Sequence, residues 1–222
     1  ARLRSVDAPD LSGFPSNTPV CSNPNAPIMK LPFAFLCLAS LAAFAPTLTA
    51  AEPPPSAEWQ IKTAVLAAPK AEQEAVTVLG YDATGKLVTL RQGTNNLICL
   101  ADDPKKKGFS VACYHKTLEP FMARGRALEA EGKKASDILK VREAEVKAGT
   151  LKMPERGLLN VTTGKVNEAT AEVTDLYTRY VVYIPYATPD STGIPLAPVS
   201  PGGPWLMDPG THRAHIMINP PK

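Results

Sequence analysis

Apolar and polar residues alternate with a period of two at both ends of the chain's second two-thirds, and with a helical period between them. Residues 75–79 (AVTVL) and 86–90 (KLVTL) read as paired strands, with Asp82 and Gly85 supplying the turn of a hairpin. Residues 97–100 (LICL) and 109–113 (FSVAC) are two further short strands. Ahead of them, 58–68 (EWQIKTAVLAA) is open to two readings. Ile61, Val65 and Ala68 fit a helical stripe, while Trp59 and Ile61 fit a strand, and Pro69 ends either one.

The period then changes. Thr117 is placed to cap a helix whose first turn accepts Pro120 and whose one face carries Leu118, Phe121, Met122 and Leu128. Gly132 breaks it. Ser136 is placed to cap a second helix with Ile138, Leu139 and Val146 inward and Gly149 at its end, leaving Arg142, Glu143, Glu145 and Lys147 as a solvated face. Residues 150–178 are polar and weakly periodic. Within them only 157–161 reads as a short strand, and Asn160-Val161-Thr162 has glycosylation spacing. Residues 179–185 (RYVVYIP) form a strong β segment, 186–204 a loop rich in Pro and Gly, and Asp208-Pro209-Gly210 a turn between 205–207 and a last strand at 214–218. Strands on both sides of a helical pair predict an α+β fold, a single small domain over 58–222 with a mainly antiparallel sheet.

Upstream of this domain the pattern is of another kind. Met29-Lys30 precedes the apolar run 31–44 (LPFAFLCLASLAAF), then Thr49-Ala50-Ala51 and a proline-rich linker at 51–57. Charged start, apolar middle and small-residue site predict a signal peptide over 29–50, and the run is shorter than the roughly 20 residues that span a bilayer. Residues 1–28 read as an upstream extension, disordered or untranslated, and the mature form as exported without a membrane span. Cys21 and Cys37 fall before the cleavage point, so Cys99 and Cys113 remain, and an oxidising periplasm or extracellular space predicts that they pair.

The formal charge of +3 and the single basic run Lys105-Lys106-Lys107 give no nucleic-acid surface. No G-x-S-x-G elbow, H-E-x-x-H, P-loop or dinucleotide glycine fingerprint occurs. Chemistry concentrates at 208–215 (DPGTHRAH), which holds two of the chain's three histidines. Histidine serves as general base or metal ligand near neutral pH. His212 and His215 are three apart, so they share a site only if Thr211-His212 belongs to the turn. The competing reading is a satisfied histidine on a strand. His115 joins them only if its strand is a neighbour, and Asp102-Asp103 and Asp190 lack any calcium-loop spacing.

LVTLRQGTNNLICLADDP, GFSVACYHKTLEPFMARGRAL, YVVYIPYAT and GGPWLMDPGTHRAHIMI resemble, in order, a family of small exported bacterial proteins. The resemblance spans about 59–218 and implies an envelope or secreted location, without an activity, cofactor or catalytic residue. Looser relatives keep a GTxxxHIM pattern, matching Gly210, Thr211, His215, Ile216 and Met217, with tyrosine at the place of His212.

Two functions follow as expectations. One is a hydrolase of a small ester or lactone, with His215 as base or metal ligand, Asp208 orienting it, His115 or His212 assisting, and calcium or zinc activating water. The other is a non-catalytic periplasmic or secreted module that binds a small ligand or a protein partner, with Trp205 and Arg213 beside the Pro- and Gly-rich loop as binding residues.

Overall fold

The computed structural model describes residues 54–167 and 169–222. The upstream extension, the leader, Cys21, Cys37 and the first residues of the linker lie outside them.

Helix α1 (Ala57–Ala64) resolves the open reading of the first element. Ser56 Oγ accepts the Trp59 N–H at 3.2 Å, and the helix runs on as a 3-10 turn over Val65–Ala67. Gln60 is buried and docks the helix. Its amide nitrogen donates to the carbonyls of Pro55 and Tyr81, and its Oε1 accepts the Tyr81 N–H at 2.7 Å. The amide thereby satisfies the last residue of a strand much as another strand would.

Eight strands form one sheet: β1 (Thr77–Tyr81), β2 (Leu87–Arg91), β3 (Leu97–Leu100), β4 (Phe109–His115), β5 (Gly157–Asn167), β6 (Glu172–Tyr183), β7 (Trp205–Met207) and β8 (His215–Ile218). Their order is β2-β1-β3-β4-β5-β6-β8-β7, and every pairing is antiparallel except β1 with β3. Between β4 and β5 stand α2 (Glu119–Ala130) and α3 (Ala135–Lys147), and a short α4 (Pro189–Thr192) sits in the loop after β6. The α+β fold with a mainly antiparallel sheet and a helical pair is present. Among the described residues no helix is long and apolar enough to cross a membrane.

The pleat sends the strands' side chains to two cores. On one face Val78, Cys99, Phe109, Val111 and Cys113 pack under Ala64, Ala67 and Ala68 of the α1 region. Cys99 and Cys113 stand directly opposite in register and form the predicted disulfide, which clamps β3 to β4. On the other face Tyr114 and Val181 lie under the helical pair with Leu118, Phe121 and Leu128. Tyr114 anchors α2 there: its hydroxyl donates to Glu119 at 2.5 Å and accepts from Arg126 at 3.1 Å.

Two caps differ from expectation. The 3-10 turn Lys116–Leu118 precedes α2, so Thr117 bonds His115 rather than capping the helix. Helix α3 starts one residue before Ser136, with no side-chain cap. The largest difference is the 11- and 12-residue hairpin of β5 and β6, which occupies most of the stretch read as polar loop. Its exposed positions mix Leu158, Val166, Leu176 and Tyr180 with Lys165, Glu172, Thr174 and Asp175, so burial writes no alternation into the sequence. Asn160 lies inside it, buried, with its amide donating to the Ala67 carbonyl at 3.1 Å, which closes the glycosylation spacing to a glycan.

Gly93 sits where a side chain has no room. A Cβ there would overlap the backbone of Ala75, Val76 and Thr77. Backbone cannot rotate aside, so Gly93→Ala is expected to cost about 3 kcal/mol, the upper part of the overpacking range. Calorimetry should record it as a midpoint lowered by about 6–12 °C.

Candidate functional site

The turn after β7 builds the site. Asp208 adopts φ +50°, a left-handed conformation that aspartate tolerates better than most residues. Its carbonyl accepts both the backbone N–H and the hydroxyl of Thr211. Thr211 in turn accepts the Tyr186 N–H at 2.7 Å, Ala187 accepts that of Gly210 at 2.8 Å, and Ala214 that of Ile184 at 2.9 Å. These bonds zip residues 208–214 to the end of β6, so Thr211-His212 belongs to the turn, the condition for the two histidines to share a site.

They do share one. His212 and His215 are 2% and 4% exposed. His215 lies on the helical-pair face of β8, in register with Tyr183 of β6 and Met207 of β7, with its ring 5.4 Å from that of Tyr183. Its Nδ1 donates to the Arg213 carbonyl at 2.7 Å, which leaves Nε2 as the basic nitrogen. His212 turns toward α3. Its backbone N–H donates to Glu143 Oε2 at 2.9 Å, and its Nδ1 meets the same oxygen. Its Nε2 is enclosed and has no partner.

Phe121 of α2 joins the two halves. Its ring packs edge-on against Tyr183 at 5.8 Å and His212 at 5.6 Å, and the Arg142 guanidinium lies over it at 4.0 Å. Arg142 also donates to the Phe121 carbonyl at 3.2 Å. Asp208 and Arg213 form an ion pair, with Nε 2.8 Å from Oδ2 but off the direction of a hydrogen bond. Trp205 stands one pleat further along β7 on the same face, half-buried, with its indole N–H unpartnered.

His115 does not join. It shares a face with Cys113, opposite to that of His215, and three strand spacings of about 4.8 Å separate β4 from β8. It lies instead in a 380 Å³ cleft with Leu97, Arg156, Gly157, Leu158 and Val182. The face read as solvated is the other correction. Arg142 and Glu143 are built into the cluster, and Glu145 holds Arg124 at 2.7 Å. The pattern of a charged helix surface hides them, because the partners of Arg142 and Glu145 come from α2 and that of Glu143 from a turn 69 residues away.

Electrostatics follow from burial. Desolvation lowers the pKa of His212 and outweighs the Glu143 carboxylate, which favours the imidazolium; Arg142 and Arg213 add to the lowering. Desolvation also lowers that of His215. Burial raises Glu143, but the His212 N–H, Lys147 and the His212 ring overcome it and hold the carboxyl down at about 2. At neutral pH the pair is therefore a carboxylate and a neutral ring. Among the described residues no three His, Cys, Asp or Glu side chains are grouped to hold a metal ion. Four clefts among the described residues, of 380 to 640 Å³, are lined by none of Asp208, His212 or His215.

No protein-family model matches the chain, and no curated protein or solved structure matches it.

Proposed function

We propose that the chain is an exported module that binds a partner and does not turn over a substrate. The observation that carries this reading is the enclosure of both imidazoles, 2% and 4% exposed. A general base must come within hydrogen-bond reach of the proton it takes. The sheet face opposite the helical pair offers surface instead: Leu158, Leu176 and Tyr180 are 41%, 48% and 40% exposed. The leader over 29–50 is the ground for export, and the Cys99–Cys113 disulfide supports an oxidising compartment.

The hydrolase reading retains one observation. Glu143 orients the His212 ring as a carboxylate orients a catalytic base, and Nε2 is bare. The two readings part in one experiment. The purified chain should show no turnover on an ester and lactone panel, with or without calcium or zinc, and a photo-crosslinker at Tyr180 should capture a partner in the bacterial envelope where one at Lys140 does not. Turnover that His215→Ala abolishes while the fold persists would overturn the binding reading.

A further inference from the structure

Helix α3 is held differently from its neighbours. None of its residues is fully buried. It is fastened by polar contacts, to α2 through Arg124–Glu145 and Arg142–Phe121, and to the β7–β8 connection through Glu143–His212. Elements with little buried apolar surface open at the lowest free energy, so the polar fastenings decide when this helix moves.

One fastening is built to fail on acidification. Glu143 Oε2 takes both the backbone N–H and the Nδ1–H of His212, so a second proton on the ring must go to Nε2. That nitrogen is enclosed without an acceptor. The charged and aromatic groups that act on the ring are Glu143 and Arg142 from α3, Arg213 from the β7–β8 connection and the Phe121 ring from α2, while Tyr183, Asp208 and His215 lie one step further, around His215 and Phe121. Asp208 is engaged by Arg213, and Glu143 is shared with Lys147 at 3.0 Å and lies against Tyr186. An imidazolium there would carry an unsatisfied donor in the repulsive field of two guanidiniums, and release of α3, which supplies both Glu143 and Arg142, would relieve it.

We propose that His212 and Glu143 form an acid-released latch between α3 and the β7–β8 connection. The direction is fixed by linkage. A histidine whose folded-state pKa is depressed leaves the folded chain with fewer protons than the open one, so its contribution is complete above the ordinary value of 6.5 and is lost as pH falls through the folded value. The Glu143 carboxylate stays charged throughout, since it is held at about 2.

Hydrogen exchange of the α3 amides, corrected for the intrinsic effect of pH, tests this between about pH 7.5 and 5. Protection of α3 should fall about tenfold for each pKa unit of depression, while β3, β4 and β5 keep theirs. His212→Asn supplies an N–H in place of Nδ1–H and does not titrate, so its α3 protection should be level across the range. Glu143→Gln removes the charge that favours the imidazolium and should move opening to lower pH. Constant α3 protection in the unaltered chain overturns the latch, as does an unchanged profile in His212→Asn or loss of the profile in His215→Asn instead. If His212→Asn does not fold, the His212 ring resonances of the unaltered chain decide: titration at a pH other than that of α3 opening overturns it.

Discussion

Phe121→Ala should destabilise the protein by about 3–5 kcal/mol, the cost of emptying a buried aromatic site. Phe121 is 1% exposed, and its ring is the common neighbour of Tyr183, His212 and Arg142. Its loss removes the two edge-on contacts and the cation–π contact together, beyond the area term. For a domain of this size each kcal/mol lowers the midpoint by about 2–4 °C, so calorimetry should show a fall of about 6–20 °C. Phe121→Leu fills much of the same volume and should cost clearly less. Equal costs for the two variants would mean that the ring contacts carry little.

The disulfide carries the second large effect. Cys99 and Cys113 are 14 residues apart in sequence, and closing a loop of about 15 residues contributes about 3 kcal/mol in the chain-entropy model. Both cysteines are buried beneath α1, so alanine is the suitable replacement, because serine would bury two hydroxyls in an apolar core. The Cys99→Ala/Cys113→Ala double variant should unfold at lower denaturant than the oxidised chain, by about 3 kcal/mol at similar slope. Reductant should bring the unaltered chain close to the double variant and leave the double variant where it was. A reductant-insensitive midpoint in the unaltered chain would show that the bond contributes no stability.

β1 and β4 were legible because the sheet there has one face against α1, so burial imprints alternation on AVTVL and FSVAC. Strands β5 and β6 were not, beyond their buried ends. Leu176 and Tyr180 face outward, Thr162 and Thr178 bond each other at 2.8 Å, and hairpin pairing holds what apolar burial does not. At the site, the Asp208-Pro209-Gly210 turn announced that Thr211-His212 could leave the strand that carries His215. It could not announce Glu143, Arg142 or Phe121, because a helix read alone shows only which face is apolar. His115 was misplaced for a simple reason: its parity along β4 is that of Cys113, and a period of two sends it to the α1 face.

The strand order also bears on how the chain folds. Five of the seven strand pairings join strands consecutive in sequence, and the other two, β1 with β3 and β6 with β8, skip a single strand. Folding rate falls as contacting residues lie further apart along the chain, because loop entropy must be lost before a contact forms. Here the sheet can grow outward from the β5–β6 hairpin, each strand meeting a neighbour already in place; of its two wide gaps, that between β4 and β5 is spanned by helices that shorten it, and that between β6 and β8 holds α4 and β7. An eight-stranded antiparallel sheet is usually slow to assemble. This one is arranged so that most of its loop closures are short.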